Sequence, residues 1–125
     1  MASTPLAGRK ILLVEDDFLI AQVIVDLLED AGATVIGPLG TIEDALTAAA
    51  DSSLTVDSAI LDINLHGLAS YTVADALNAR NVRVVFATGY GKQGIEASYQ
   101  HYPSCTKPFT WQALLSALGE DENSG

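Results

Sequence analysis

The run Ile11-Leu12-Leu13-Val14-Glu15-Asp16-Asp17 passes in one step from four apolar residues to three acids. Consecutive apolar residues suit a strand covered on both faces, as the strands of a parallel sheet are. Helical spacing follows at once: Leu19, Ile20, Val23, Ile24, Leu27 and Leu28 mark one helix face, with Asp17 placed to cap the helix and Gly32 to end it. The pattern then repeats. Thr34 to Gly37 reads as a second strand ahead of Pro38, and Thr41 caps a helix carrying Ile42, Ala45, Leu46 and Ala49 that closes at Ser52-Ser53. A third strand, Val56 to Leu61, again ends in an acid, Asp62. After a loop from Ile63 to Ala69, Ser70 is placed to cap a helix with Val73, Ala74 and Leu77, and Val82 to Ala87 is a fourth apolar strand. Gly89, Gly91 and Gly94 each cost a helix about 1 kcal/mol relative to Ala, so a marginal, mobile fourth helix is expected before Pro103. A short strand, Ser104 to Thr106, and a helix from Phe109 to Leu118, with Trp111, Leu114, Leu115 and Leu118 toward the sheet, complete five strand-helix units. Right-handed crossovers make such a series a doubly wound α/β domain with one parallel sheet between helices.

Composition narrows the function. The 125 residues are one domain's worth, read as a domain over 9–118 between tails 1–8 and 119–125, which leaves no room for a DNA-binding or catalytic output module. Sixteen acids against six Lys and Arg give a net charge of −10, the wrong sign for capturing a phosphate backbone, so no nucleic-acid partner is expected. Cys105 is the sole cysteine, which excludes an internal disulfide and any cysteine-based zinc site; it reads as a buried small hydrophobe. Neither a signal peptide nor an apolar run of spanning length is present, so no membrane partner is expected and a cytoplasmic location is.

In a doubly wound sheet, ligands bind beyond the carboxyl ends of the strands. Here those ends carry Glu15-Asp16-Asp17, Asp62, Thr88 and Lys107, all brought to one rim. Close carboxylates repel one another by up to about 4 kcal/mol per pair at an effective dielectric near 20, so Glu15, Asp16 and Asp62 need counter-charge. Magnesium, which takes carboxylate and phosphate oxygens, answers that need, and Lys107 adds a second positive charge. A carboxylate beside magnesium can attack an activated phosphoryl group; mid-sheet Asp62 is the candidate nucleophile, with Thr88 as hydroxyl donor, Gly89 leaving space for the group and Lys107 as charge clamp. Asp17 reads as a helix cap and His66 as a solvated loop residue.

Val14-Glu15-Asp16, Leu61-Asp62-Ile63-Asn64, Ala87-Thr88-Gly89 and Lys107-Pro108-Phe109 together resemble the receiver domains of two-component response regulators, over nearly the whole chain. The resemblance implies a flavodoxin-like (βα)5 sheet of strand order 2-1-3-4-5 and a phosphoacceptor at Asp62. It also implies Mg2+ held directly by Asp16, Asp62 and the main-chain carbonyl of Asn64, and by Glu15 through water. The implied donor is a sensor histidine kinase or His phosphotransfer protein, with output by protein contact or phosphorelay and no turnover beyond self-phosphorylation and dephosphorylation. Phe86-Ala87-Thr88-Gly89-Tyr90-Gly91 resembles the subgroup named for its Phe-Ala-Thr-Gly signature, which partners kinases of the HWE and HisKA2 classes; Val73-Ala74-Asp75-Ala76-Leu77 fits the same subgroup. Ser104 stands where most receivers carry a switch aromatic, and His66 where a proline is usual, so Tyr90 is expected to share the readout with Thr88.

Two other readings use the same rim. A haloacid-dehalogenase-type magnesium phosphatase also employs a strand-end aspartate, but its general acid would fall on Asn64. A flavodoxin-like FMN carrier needs a phosphate-cradling Ser/Thr/Gly loop after the first strand, where this chain has acids. A receiver cut from a hybrid kinase is a third possibility.

Overall fold

A computed structural model describes residues 4–107 and 110–119. Strand β1 (Lys10–Val14) lies inside a five-stranded parallel sheet, flanked by β2 (Thr34–Leu39) and β3 (Ser58–Asp62). The later strands of that sheet are β6 (Arg83–Thr88) and β7 (Ser104–Thr106), giving the order β2-β1-β3-β6-β7. Counted within this sheet alone, the order is the expected 2-1-3-4-5. The helices are α1 (Phe18–Asp30), α2 (Ile42–Ala50), α3 (Tyr71–Asn78) and α4 (Trp111–Leu118).

The apolar run of β1 serves two cores. Leu12 and Val14 join the core shared with α2 and α3, while Ile11 and Leu13 join the one under α1 and α4. Each face of the strand is therefore dry, which is why its sequence shows no alternation. β2 runs on past Gly37 through Pro38 to Leu39, farther than expected. It is an edge strand, where a missing N–H is tolerated, and a register shift opposite Leu12 and Val14 absorbs the break.

Several local expectations change. On α1 the buried residues are Ala21, Ile24 and Leu28, whereas Leu19 and Val23 are 76% and 60% exposed. The small Ala21 lets the helix approach the sheet, and the larger side chains turn outward. Ser70 precedes α3 without capping it, because its hydroxyl is committed elsewhere. The loop from Ile63 to Ala69 holds a small antiparallel hairpin, β4 (Asn64–Leu65) with β5 (Leu68–Ala69). In place of a fourth α-helix stand two 3-10 turns, Gly91–Gly94 and Ala97–Tyr99. Aromatic contacts fasten this segment to α3 and β6: Tyr99 stacks on Tyr71 at 4.4 Å, and Tyr102 packs on Phe86 at 5.3 Å. Hydrogen bonds add to them, since Tyr99 Oη donates to Asp75 at 2.9 Å and Glu96 N donates to Tyr71 Oη at 2.9 Å.

Packing also starts before residue 9. Leu6 is fully buried in the α1 and α4 core and its N–H donates to Ala31 O at 3.0 Å, so residues 4–8 are part of the domain instead of a tail. Arginines hold the helix ends far from the acidic rim. Arg9 and Arg83 donate to the last carbonyls of α4, and Arg80 bonds Ala49 O at 2.8 Å and Leu54 O at 2.7 Å. Guanidinium groups so placed complement the negative ends of the helices. No helix among the described residues is long and apolar enough to cross a membrane.

Two outcomes follow from this packing. Leu6→Ala should lower unfolding free energy by about 2–5 kcal/mol in chemical denaturation, as for other buried leucines, where a true tail residue would give no change. Cys105 is buried, and burial pushes its thiol above the ordinary value, so less thiolate is present at any given pH than in the unfolded chain. Alkylation at pH 8.5 should be slow in the native protein and return to the rate of a free thiol in denaturant.

Candidate functional site at the sheet edge

Four of the five strands of the central sheet bring polar residues, at or just beyond their last position, to the same edge. β1 hands over to Glu15 and Asp16, β3 ends on Asp62, β6 ends on Thr88, and Lys107 directly follows β7. Parallel pairing places them side by side: Asp62 lies opposite Ala87, and Thr88 opposite Thr106. Carboxylate oxygens of Glu15, Asp16 and Asp62 all lie within 4.8 Å of one another.

Lys107 spans this group. Its Nζ is 2.7 Å from Glu15 Oε1 and 3.5 Å from Asp62 Oδ2. Burial works to pull the ammonium's pKa down, but the Glu15 hydrogen bond and the charges of Asp62 and Glu15 outweigh it and hold the lysine above its ordinary value. Glu15 is buried, and burial raises its carboxyl above the ordinary value against the opposing pull of Lys107 and of the Asp17 N–H, which donates to Oε2 at 3.0 Å. Glu15 is thus committed to Lys107 and to the backbone, whereas Asp16 and Asp62 remain partly open to solvent.

The acceptor candidate is fixed from behind. Ser70 Oγ donates to Asp62 O at 2.7 Å, and Asn64 N donates to Asp62 Oδ1 at 3.3 Å. Ser70 is the residue that sequence reasoning assigned a different task; a small hydroxyl at the head of a helix reads as a cap, and only its complete burial betrays the inward bond. The Asn64 side chain accepts from Gly67 N at 2.8 Å and so shapes the hairpin turn instead of standing free as a general acid would. Asp17 caps α1 as expected, accepting from Leu19 N and Ile20 N. His66 is largely solvated, yet its backbone N–H donates to Asp16 Oδ2 at 2.9 Å and its Nδ1 lies 3.6 Å from the same oxygen. Its φ of 50° turns the backbone toward the acids, a bend that no residue type announced.

Beside Asp62 opens a pocket of about 230 Å³ lined by Asp62, Ile63, Asn64, Thr88, Gly89, Tyr90 and Gly94. Thr88 is buried at its wall, and its Oγ1 accepts from Tyr90 N at 3.0 Å. Its carbonyl accepts from Lys107 N at 2.6 Å, which ties β6 to the lysine. The ring of Tyr90 is 83% exposed at the mouth. Of the motif beginning at Lys107, Pro108 and Phe109 lie outside the described residues.

This geometry agrees with the comparisons. No curated protein matches the chain. Among solved structures, SdrG from Sphingomonas melonis Fr1 is 38% identical, with 89% of this chain covering 93% of that one at a TM-score of 0.78. The BeF3-activated conformation of SdrG, from Pseudomonas melonis Fr1, is also 38% identical; 95% of this chain covers 97% of that one, with a TM-score of 0.73. The PhyR stress response regulator is 26% identical with a TM-score of 0.75, and 93% of this chain covers 46% of it. The family model of the response regulator receiver domain matches residues 11–118. With that match spanning the whole βα series and the acids, hydroxyl and lysine gathered at one edge, the chain belongs to the response regulator receiver domains of two-component signalling.

Proposed function

We propose that this receiver accepts a phosphoryl group on Asp62, in the cytoplasm, from a histidine kinase of the HWE or HisKA2 class or from a His phosphotransfer protein. The observation that carries the reading is the placement of Asp62: a carboxylate held at its backbone by Ser70, flanked by two further acids and one lysine, and open to a pocket of about 230 Å³. The likeness to SdrG, for which a BeF3-activated conformation exists, supports it.

The donor set fits magnesium. Three carboxyl groups face one ammonium, every ligating atom is a hard oxygen, and Asp16 and Asp62 are partly open. Asp16, Asp62 and the Asn64 carbonyl would hold the ion, with Glu15 acting through water. Bound there, Mg2+ supplies positive charge to the oxygens of the transferring group. Asp62 Oδ attacks phosphorus, the O–P bond of the acyl phosphate forms, and the N–P bond to the donor imidazole breaks with its electron pair returning to nitrogen. Lys107 neutralises charge developing on the phosphoryl oxygens. Thr88 then exchanges the N–H of Tyr90 for a phosphoryl oxygen, donating its hydroxyl proton in a hydrogen bond, and Tyr90 with the 89–102 segment reorders. That reordering alters contact with a downstream protein or a second phosphotransfer domain. The chain turns over no external substrate; it makes and loses its own phosphoryl group.

Acetyl phosphate with magnesium should add the mass of one phosphoryl group at Asp62, and chelation with EDTA should prevent it. Asp62→Asn should carry no label, and Lys107→Ala should slow labelling by about 10²–10³-fold, the usual cost of losing one charge stabiliser. Label lodged on another residue would refute the assignment. Thr88→Ala should still take the label but lose the change in amide-exchange protection over residues 89–102 that the wild-type chain shows on phosphorylation.

A further inference from the structure

Thr88 owes its resting position to a neighbour that carries no side chain. A Cβ built on Gly94 would lie 2.8 Å from Thr88 Oγ1, closer than real Cβ atoms approach, and 3.0 Å from Tyr90 Cβ, tighter than most. Gly94 needs no left-handed backbone, since only Gly8, Gly32, Gly37, Gly67, Gly91 and Gly119 have positive φ among the described glycines. Its requirement is space alone. The 3-10 turn Gly91–Gly94 therefore lies close against the hydroxyl of Thr88, and both Gly94 and Thr88 line the pocket beside Asp62.

The backbone of Thr88 cannot yield to this contact. It is paired in β6, and its carbonyl accepts from Lys107 N at 2.6 Å. What remains free is rotation about χ1. A threonine has three staggered rotamers, which in turn direct the hydroxyl, the methyl or the β-hydrogen toward any given neighbour. At present the hydroxyl faces Gly94 and accepts from Tyr90 N. With a methyl group added at position 94, the hydroxyl and the Thr88 methyl would both be excluded from that side. With the turn in place, the rotamer presenting the β-hydrogen relieves the crowding, and turning to it breaks the bond from Tyr90 N.

We infer that Gly94 is a positioning residue for the phosphoryl switch: its missing side chain is what admits the resting rotamer of Thr88. The inference rests on the proposed function, in which the Thr88 hydroxyl leaves Tyr90 N when Asp62 is phosphorylated. A substitution that excludes the resting rotamer removes the competitor of the activated arrangement, and a two-state equilibrium then moves toward the latter without any new contact to the phosphoryl group. The turn 91–94 is on this account a control point, since any partner that lifts it from Thr88 or presses it closer changes the readiness of Asp62.

The test compares wild type, Gly94→Ala, Thr88→Ala and the double variant, using beryllofluoride with magnesium as the phosphoryl mimic. Gly94→Ala should change the Thr88 χ1 couplings without the mimic and bind the mimic about two- to tenfold more tightly, the span of one side-chain rotamer preference. In the Thr88→Ala background the added methyl has nothing to displace, so Gly94→Ala should have no effect there; an effect of equal size in both backgrounds would mark a structural role and overturn the inference. Unchanged χ1 couplings, or weaker binding of the mimic by Gly94→Ala, would overturn it as well. Should Gly94→Ala not fold, nuclear Overhauser contacts between Gly94 α-protons and the Thr88 side chain are read in the wild type: a contact to the Thr88 β-proton that strengthens on adding the mimic supports the assignment, and an unchanged pattern overturns it. A wild-type chain that takes neither label nor mimic would overturn the functional reading, whereas a wild-type response with an unaltered Gly94→Ala would overturn the Gly94 assignment alone.

Discussion

The ammonium of Lys107, seated 2.7 Å from Glu15 and 3.5 Å from Asp62, is the contact on which the arrangement of the rim depends. Glu15 is delivered by β1, Asp62 by β3 and Lys107 by β7, so the three groups meet only when the sheet has formed in its doubly wound order. Three carboxyl groups within 4.8 Å oppose that meeting. The lysine offsets part of the repulsion, and the part it leaves is an attraction for cations. Electrostatic conflict left at a sheet edge is thus the source of the site's chemistry, and the two dry cores behind it are what hold the conflict in place.

How the cores do so explains which features could be read in advance. Strands covered on both faces have to be apolar throughout, so Ile11 to Val14, Ala59 to Leu61 and Val84 to Ala87 announce themselves, and the polar residue that ends each one is conspicuous by contrast. The acidic group, Thr88 and Lys107 were legible for that reason, whereas the sheet order came only with the resemblance to receiver domains. Helix faces were less so, because a periodicity count favours large side chains, while α1 packs through Ala21 and leaves Leu19 and Val23 outside. Ser70 shows a second limit. A hydroxyl at a helix start satisfies either the helix or a neighbouring carbonyl, and the choice rests on a bond to Asp62 eight positions away.

Residues 89–102 show a third. The marginal fourth helix expected there does not form; the cost of three glycines weakens a helix but says nothing of what replaces it. The structure answers with aromatic rings: Tyr71, Phe86, Tyr99 and Tyr102 form one cluster, and Tyr99 is bonded to Asp75 on α3. The far end of the segment is anchored by packing, while the near end, Gly89 to Gly94, lies beside Thr88 and the end of β7, with Tyr90 N bonded to the Thr88 hydroxyl.

That division also bears on the missing switch aromatic. Ser104 is too small to report the state of Thr88 by moving between core and solvent, and Tyr102, two positions earlier, is buried against Phe86. Releasing Tyr102 would expose a large ring and break up the cluster that orders α3 against β6, a cost far above that of turning one threonine. Tyr90 carries no such penalty, since it already lies in solvent and its backbone N–H is bonded to the Thr88 hydroxyl. On the proposed function, the cheapest movement therefore begins at the Tyr90 peptide, with the aromatic cluster as its fixed support.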